Sequence, residues 1–321
     1  MRDVTSRDTP MLTAESVLSF THVHKSFKST TALSDVSLEV PRGTIVGLVG
    51  RNGCGKTTLL HHVTGLMLPT SGACTTFGVS TNALGAREHA RMGVVHQHAK
   101  LLGWMRVEQL LQYIATFYES WDVSLSQQLT DRLQLSRDGK VAELSPGNVQ
   151  KLSLVLALSH RPELLLLDEP LSDLDPTARQ DVLAILLEYF SARECTIVIS
   201  SHLLHDIEPM VNRIICLEQG RVTANADLDT LKESYAEWIV TTRGTPLPLS
   251  WSEPGIVRAQ GDASQARLIV RGELATRESL RVSMASRYDI DIESRALNLE
   301  RLFPVLTGDR TTPPERAHAI R

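Results

Sequence analysis

Residues 50–58 decide how the rest of the chain is interpreted, and they read Gly50-Arg51-Asn52-Gly53-Cys54-Gly55-Lys56-Thr57-Thr58. The stretch fits the pattern G-x-x-x-x-G-K-[ST] of a phosphate-binding loop. An apolar run over residues 44–49 predicts a buried strand before it, and residues 59–63 predict a helix after it. This order brings backbone N–H groups and the positive end of a helix to one point, which suits a polyphosphate. The alternative is a glycine-rich strand-to-helix turn without a ligand, which the strand-loop-helix order disfavours.

The residue types inside the loop fit the same chemistry. Glycines let the backbone approach a phosphate closely, because side chains would block it. Lys56 supplies a point charge for the β- and γ-phosphates, and Thr57 supplies a hydroxyl for Mg²⁺. Cys54 lies among backbone donors at a helix N-terminus beside Lys56, and such surroundings favour a reactive thiolate. A small loop-filling residue with an ordinary thiol is an equally open interpretation of Cys54.

The whole chain has the size and composition of a large domain joined to a smaller one. It has 321 residues, and its formal net charge of -4 is not the basic excess of a dedicated nucleic-acid binder. The 4 cysteines show neither C-x-x-C nor metal-finger spacing, so they fit a reducing cytosol without a disulfide framework or zinc site. No stretch reaches the roughly 18 to 20 apolar residues that span a bilayer, so a membrane role requires a partner.

Two stretches flank the loop with strand-like patterns. Residues 17–40 partly alternate between apolar and polar, which predicts an antiparallel pair of strands. Phe27 lies between these strands and could offer its ring to an adenine base, although a core position is equally open. Residues 92–95 predict a short strand that ends at His96-Gln97-His98. His96 and His98 would share a face, but no third ligand is near in the sequence, so a metal site is disfavoured.

A helical insert is predicted next. Apolar residues recur at helical spacing through residues 106–135. Aromatic side chains concentrate here, at Trp104, Tyr118 and Trp121. A place in the local core is the favoured interpretation of these rings, and a surface that grips a partner helix is the alternative.

Polar groups then follow predicted helix starts and strand ends. Ser145 occupies an N-cap position and Pro146 the first position of a helix, which makes a second N-terminus suited to an anion. Leu164–Leu167 predict a buried parallel strand that ends at Asp168-Glu169, where α/β sheets place their ligands. Residues 177–190 predict a helix, and residues 195–199 predict a further buried strand that ends at Ser200-Ser201-His202.

Taken in order, these residues resemble the ATP-binding subunits of ABC transporters over about residues 17–231. The resemblance implies that Phe27 stacks on adenine, Glu169 is the general base and His202 contacts the γ-phosphate. It implies that Thr57, Asp168 and Gln97 hold Mg²⁺, and that Gln97 also contacts the attacking water and the transmembrane partner. The residues that it implies for binding ATP in the phosphate loop are Gly50, Asn52, Gly53, Cys54, Gly55, Lys56, Thr57 and Thr58.

The resemblance also covers two stretches that would meet a second subunit. Residues 144–148, here called the signature stretch, would place Ser145, Gly147 and Asn148 against the ATP of the other subunit, and residues 172–175 look like the dimer-contact loop. The family usually has Leu-Ser-Gly-Gly-Gln where this chain has Leu144-Ser145-Pro146-Gly147-Asn148. Pro146 removes an N–H that the first helical turn does not use internally. The shorter Asn148 puts one polar contact in question.

The resemblance implies an α/β fold: a P-loop ATPase core with an antiparallel β subdomain and a helical signature subdomain. Strand-like segments and a predicted helix over residues 277–286 add a small C-terminal α+β module. The predicted organisation is an N-terminal tail over 1–15, an ABC ATP-binding domain over 16–234 with its helical insert at about 100–160, an accessory module over 235–307 and a disordered tail over 308–321.

The predicted function is an ATPase, using ATP and Mg²⁺, that serves separate membrane permease subunits as a homodimer or heterodimer. Its predicted place is the cytoplasmic face of the cell membrane, as a peripheral protein. Residues 297–303 look like the terminal helix of ATPases that serve exporters, which favours export. The alternative is a soluble ABC-type ATPase that acts on nucleic acid or ribosomes. One phosphate loop, no sustained heptads and an acidic balance disfavour that alternative, so no nucleic-acid partner is expected.

Overall fold

The computed structural model describes residues 16–192, 195–248 and 250–308. Its strands are β1 (Ser16–Phe27), β2 (Thr30–Pro41), β3 (Ile45–Val49), β4 (Ser71–Thr76), β5 (Val79–Ser80), β6 (Met92–Val95), β7 (Leu164–Asp168), β8 (Thr196–Ser201), β9 (Arg213–Glu218), β10 (Arg221–Asp227), β11 (Tyr235–Thr242), β12 (Ile256–Gly261), β13 (Gln265–Arg271) and β14 (Ile290–Arg295). Its α-helices are α1 (Lys56–Val63), α2 (Ala86–His89), α3 (Val107–Ala115), α4 (Val123–Arg132), α5 (Pro146–Ser159), α6 (Pro176–Ala192), α7 (Leu204–Ile207), α8 (Leu228–Glu233), α9 (Leu274–Arg287) and α10 (Leu299–Leu306).

An antiparallel sheet opens the described chain, with strand order β2-β1-β4-β5. The predicted pair over residues 17–40 is confirmed as β1 and β2, in which Phe20 lies opposite Leu38 and Val23 opposite Val36. All four of these side chains are buried. Alternation of apolar and polar residues thus gives the sheet one face for the core, as the period of a strand requires.

The second sheet carries the strands that end at the predicted site, and its order is β10-β9-β3-β8-β7-β6. β7 pairs in parallel with β6 on one side and with β8 on the other. Every residue of β3 and of β7 is buried, which explains their continuous apolar sequences. The α/β class predicted from the sequence is confirmed by this arrangement.

The helical insert contains α3, α4, a short 3₁₀ turn at Val141–Glu143 and α5. The side chain of Asp122 caps α4 by accepting a hydrogen bond from the Leu125 N–H at 3.0 Å. Ser145 caps α5 in the same way, and Pro146 occupies its first turn, as predicted. Each cap satisfies an N–H group that the helix itself cannot bond.

The C-terminal region forms an antiparallel sheet of order β12-β13-β11-β14. Trp238 on β11 lies opposite Leu268 on β13. Both side chains join a buried cluster with Val240 and with Met284 of α9. The predicted C-terminal strands are confirmed as β11, β13 and β14, and the predicted helix as α9; β12 was not predicted.

The chain divides into two compact units. The first comprises the chain up to Val46 together with Gly53–Ser200 and Gln219–Arg221, and the second comprises Gly47–Asn52, Ser201–Glu218 and the chain from Val222. The predicted boundary between residues 234 and 235 stays a prediction. The predicted tails lie outside the described residues, apart from Gly308. Among the helices of the described ranges, none has the length and apolar character needed to cross a membrane.

Candidate nucleotide-binding site

The phosphate loop has the backbone shape that its glycines predict. Gly53 has φ 78° and Gly55 has φ 111°, both in the left-handed region that glycine adopts without a steric penalty. Gly55 is the N-cap of α1 and Lys56 is its first residue. The loop therefore delivers the chain from a buried strand to a helix N-terminus, where backbone N–H groups attract an anion. Within the loop Gly50 is buried, Asn52 is exposed and Thr58 is partly buried.

Side chains from the loop and from the end of β7 meet in the first unit. The Thr57 hydroxyl donates a hydrogen bond to Asp168 Oδ2 at 2.6 Å. Nζ of Lys56 lies 3.8 Å from Oε1 of Glu169. These two charged side chains are only 7% and 6% exposed, so the ion pair is shielded from water. The four residues that sequence analysis assigned to phosphate, Mg²⁺ and water are thus two adjacent pairs.

A residue that sequence analysis did not select organises the two carboxylates. The Ser200 hydroxyl donates a hydrogen bond to Asp168 Oδ1 at 2.6 Å. Oγ of Ser200 also accepts a hydrogen bond from the Glu169 N–H at 2.9 Å. A hydroxyl can donate and accept together, so one side chain fixes the Asp168 carboxylate and the Glu169 backbone. The sequence showed only that Ser200 ends an apolar run; its place opposite Asp168 follows from the pairing of β7 with β8.

The backbone at Glu169 is also unusual. Its φ of 50° lies in the left-handed region, which costs a non-glycine residue of order 1–3 kcal/mol. The hydrogen bond from the Glu169 N–H to the Ser200 hydroxyl helps to hold this conformation. Glu169 is 5% exposed and Asp168 4% exposed, so both carboxylates are shielded from bulk water.

The oxygen atoms at this site fit Mg²⁺. Magnesium is usually held by one or two carboxylates together with substrate phosphates and water. Thr57 and Asp168 supply a hydroxyl and a carboxylate whose oxygens are already adjacent. Among the described residues no group of three His, Cys, Asp or Glu side chains could hold a metal by itself. A metal ion here would therefore also need other ligands, such as an amide oxygen, nucleotide phosphates or water.

Three further residues that were predicted to bind the nucleotide are exposed and lie near strand ends. Phe27 ends β1 and is 44% exposed, and Nζ of Lys25 lies 5.2 Å from its ring centroid. Gln97 is exposed in the turn that follows β6, and His202 is exposed directly after β8. An exposed ring is available for stacking, which a core residue would not be. The core interpretation of Phe27 is therefore excluded.

The signature stretch begins α5. The Ser145 Oγ accepts a hydrogen bond from the Asn148 N–H at 3.2 Å, which leaves the Ser145 O–H free to rotate toward a ligand. Ser145 is exposed, and Gly147 and Asn148 are partly buried. A Cβ at Gly147 would lie 2.7 Å from the backbone oxygen of Asp173, closer than real Cβ atoms come. Gly147 is thus needed for the close packing of the signature stretch against residues 172–175.

Two sequence interpretations change with the structure. Trp104 is 76% exposed, so the local-core interpretation is wrong for this ring; Tyr118 and Trp121 are partly buried, and Tyr118 stacks on His160 at 4.1 Å. Trp104 lies in the irregular segment between β6 and α3. Cys54 is 5% exposed, and reactive cysteines are partly exposed, so the loop-filling interpretation is favoured.

Comparisons with known proteins agree on one family. A family model described as ABC transporter matches residues 33–172. The chain is 36% identical over 213 residues to the ABC transporter ATP-binding protein YtrB of Bacillus subtilis (strain 168), covering 66% of this chain and 72% of that protein. It is 37% identical over 202 residues to the aliphatic sulfonates import ATP-binding protein SsuB 1 of Burkholderia cenocepacia (strain HI2424), covering 62% and 60%. It is 29% identical over 299 residues to the Nod factor export ATP-binding protein I of Rhizobium sp. (strain N33), covering 89% and 95%.

Solved structures show the same fold. A structure of an ATP-binding subunit of an ABC transporter has a TM-score of 0.62 and 27% identity, and the match covers 67% of this chain and 92% of that one. The dimeric post-hydrolysis state of the ATP-binding cassette MJ0796, bound to ADP and Pi, has a TM-score of 0.61. At 23% identity, over 66% of this chain and 98% of that one, the second likeness is one of fold alone.

Proposed function

The chain belongs to the family of ABC transporter ATP-binding proteins, and on this premise we propose that it is the ATP-hydrolysing subunit of an exporter. One observation carries the hydrolytic part of the proposal. The pairs Lys56–Glu169 and Thr57–Asp168 lie side by side, with Nζ 3.8 Å from Oε1 and Oγ1 2.6 Å from Oδ2. A phosphate-binding cation, a hydroxyl, a metal-binding carboxylate and a second carboxylate are the groups that phosphoryl transfer to water needs.

The proposed catalysis rests on position and charge. Mg²⁺, held by Thr57, Asp168 and Gln97, would offset charge on the phosphate oxygens. Lys56 leaves Glu169 to contact the β- and γ-phosphates when ATP enters, because the phosphates carry more negative charge than one carboxylate. Glu169, released from that pair, orients the attacking water and accepts its proton. His202 holds the γ-phosphate.

A second subunit would complete each ATP-binding site. The first turn of α5 presents Ser145, Gly147 and Asn148, and we place it against the nucleotide of the other subunit. A helix N-terminus favours negative charge, and the exposed Ser145 has an O–H to donate. Two ATP molecules would then join two subunits, and hydrolysis would separate them. This cycle converts ATP turnover into movement.

Export is favoured by the share of this chain that each relative matches. The sulfonate import match covers 62% of this chain, whereas the Nod factor export match covers 89% of it. A match of 89% must extend beyond residue 234, because the chain before that point is shorter than the match. The export relative therefore shares more of this chain than the import relative does, including part of the C-terminal region.

Separate membrane subunits would bind the helical insert, with the protein held as a peripheral subunit at the cytoplasmic face. Large apolar side chains are exposed there, with Trp104 at 76% and Phe117 at 64%. Tyr113 meets Phe117 edge-on, with ring centroids 5.2 Å apart. Exposed aromatic side chains of this size are typical anchors of a protein interface. We propose that they receive a helix of the permease, together with Gln97.

The hydrolytic proposal is tested with Glu169→Gln. The amide keeps the shape of the carboxylate but does not accept a proton, so we expect ATP binding to persist and turnover to fall by about 10²-fold or more. Phosphate release and the elution volume with ATP would be measured on purified protein, and the variant should accumulate as an ATP-bound dimer. Glu188→Gln, on the exposed face of α6, is the matched control and should behave as wild type. Near-normal turnover of the Glu169 variant would refute the assigned role.

The transport proposal is tested by purification from detergent-solubilised membranes. We expect permease subunits to co-purify with the wild-type chain, and Trp104→Ala to reduce their recovery while the ATPase activity of the isolated subunit stays within about twofold. Val282→Ala, which changes an exposed apolar residue of α9, is the control for loss of apolar surface. Recovery of ribosomes or nucleic acid instead of membrane subunits would favour the soluble ABC-type ATPase.

A further inference from the structure

A small cavity lies between the C-terminal sheet and α10, outside the nucleotide-binding residues. Its volume is about 100 Å³. Strand pairing explains its lining: Ile269 lies opposite both Glu237 and Arg258, and Arg267 lies opposite Gln260. Residues that pair in this way point to one face of a sheet. This face is the reverse of the one that carries Trp238 and the apolar cluster.

The cavity has more positive than negative groups. Guanidinium groups of Arg258, Arg267 and Arg301 line it, together with the carboxylates of Glu237 and Glu300. Oε1 of Glu300 already lies 3.0 Å from Nδ1 of His205. Three guanidinium groups against two carboxylates leave one excess positive charge in the lining, which favours an anion, and guanidinium groups bind oxyanions with paired N–H donors.

Two facing atoms in the cavity, one on Glu237 and one on Arg267, lack a hydrogen-bond partner among the described residues. Glu237 is 92% buried, at 8% exposure, and its Oε1 lies 3.1 Å from Nε of Arg267. The two form an ion pair, yet within the described part of the chain neither atom has a hydrogen-bond partner. A buried polar atom in that condition is destabilising. A guest that accepts from Arg267 and donates to Glu237 would remove both costs.

We propose that this cavity binds a hydrogen phosphate ion. The guest must be small, since 100 Å³ corresponds to roughly three water molecules at about 30 Å³ each. It must carry negative charge for the arginines, and it must also carry an O–H for the Glu237 carboxylate, which only accepts hydrogen bonds. Hydrogen phosphate has both, whereas sulfate and a carboxylate ion have no proton to donate at neutral pH. Glu237 thus selects phosphate over sulfate.

The test is calorimetric titration of the full-length protein with inorganic phosphate and, separately, with sulfate. Saturating Mg-ADP occupies the phosphate loop throughout, and chloride holds the ionic strength constant. We expect one phosphate per chain and sulfate binding at least tenfold weaker. Hydrogen exchange with phosphate present should slow in residues 256–271 and 299–306. Equal affinity for both ions, or no binding of phosphate, would overturn the proposal.

Variants separate this cavity from any other anion site. Glu237→Gln introduces an N–H donor, so we expect phosphate to bind at least tenfold more weakly and sulfate to bind better than in wild type. Arg267→Gln should weaken both ions at least tenfold, while Arg281→Gln, which changes a 42% exposed arginine of α9 outside the cavity lining, should change neither. The reversed preference of the Glu237 variant tests the idea even if the Arg267 variant does not fold. Phosphate binding that neither cavity variant changes would show an ion held elsewhere and would refute the site.

Discussion

Ser200 shows how a single hydroxyl can fix two neighbouring residues of a site. Its hydroxyl donates to the Asp168 carboxylate and accepts from the Glu169 backbone N–H, so one side chain positions both residues. The Glu169 backbone is held at φ 50°, a conformation that few residues adopt unaided. Ser200 is accordingly a positioning residue, which acts through its two neighbours.

We expect Ser200→Ala to lower kcat by about 10- to 100-fold, since small misplacements at a reacting centre have effects of that size. The loss of a donor to buried Asp168 should also lower the free energy of unfolding by about 1–3 kcal/mol. Phosphate-release kinetics and thermal melts would measure the two effects. Ser159→Ala is the matched control: its hydroxyl is also buried, but it bonds the Val155 carbonyl inside α5. Rescue by Ser200→Thr would support positioning, and unchanged kcat in the alanine variant would exclude it.

The residues of the loop and of β7 were predictable because each is marked by chain-local chemistry, a glycine-rich turn or a carboxylate at the end of an apolar run. Ser200 and the exposure of Trp104 were not predictable in this way. The role of Ser200 depends on the pairing of β8 with β7, which places Ser200 opposite Asp168. The sequence alone does not reveal that pairing. The exposure of Trp104 depends on whether another element covers the ring.

Two arginines and a glutamate fasten the strands β6 and β7 together at their starts. Arg91 donates two hydrogen bonds to Glu163, at 2.6 Å and 2.8 Å, and Arg42 donates one at 2.9 Å. The Arg91 guanidinium also stacks over Phe77 at 3.8 Å. Hydrogen bonds from Arg91, opposed by partial burial and aided by Arg42, lower the pKa of Glu163 to about 2.

This network predicts a pH dependence of stability. The folded-state pKa of Glu163 lies below the ordinary value of about 4.3, so its stabilisation is present above that pH and is lost as the pH falls toward about 2. Glu163→Gln should therefore unfold more easily at pH 7 and show a flatter decline between about pH 4 and 2. The side chain is 43% exposed, so solvent screening limits the effect at pH 7 to about 1 kcal/mol. Urea unfolding across this pH range measures it.

The control for the Glu163 experiment is Glu188→Gln. Glu188 pairs with Arg132 on an exposed surface and is 64% exposed, so its loss should change the free energy of unfolding by no more than about 0.5 kcal/mol. Equal effects of the two substitutions would show that the Arg91 and Arg42 network contributes no more than a surface pair.

At the scale of the whole molecule, sequence periodicity predicted most of the elements but not their assembly. The C-terminal strands were predicted, yet α10 is fixed by residues distant in the sequence: the Leu299 N–H donates to Glu208 at 3.0 Å, and Lys232 pairs with Glu208 at 2.6 Å. Buried Leu302 supports the same helix. Residues 235–307 remain our proposal for an accessory module, because every predicted nucleotide residue precedes Leu203.

The unusual signature stretch decides whether two identical chains form two working sites. Pro146 occupies the first turn of α5, where no intrahelical N–H bond is lost, and Ser145 still caps the helix. The close approach of Gly147 to Asp173 is also kept. Because Glu169 and His202 are present as well, we favour a homodimer with two working sites over a heterodimer in which this stretch is degenerate.

We therefore expect Pro146→Gly combined with Asn148→Gln to change the ATPase activity of the isolated protein by less than about threefold. Glycine adds freedom to the unfolded chain, so the melting temperature should fall slightly, by an amount equivalent to about 0.4–1 kcal/mol. Ser145→Arg places bulk where the γ-phosphate would lie and should nearly abolish activity, whereas Ser124→Arg, at an exposed position of α4, should not. The sample must contain no partner subunit. If it hydrolyses ATP only after the stretch is restored to Leu-Ser-Gly-Gly-Gln, the native stretch is degenerate, and the chain requires a different subunit to supply the second half of the site.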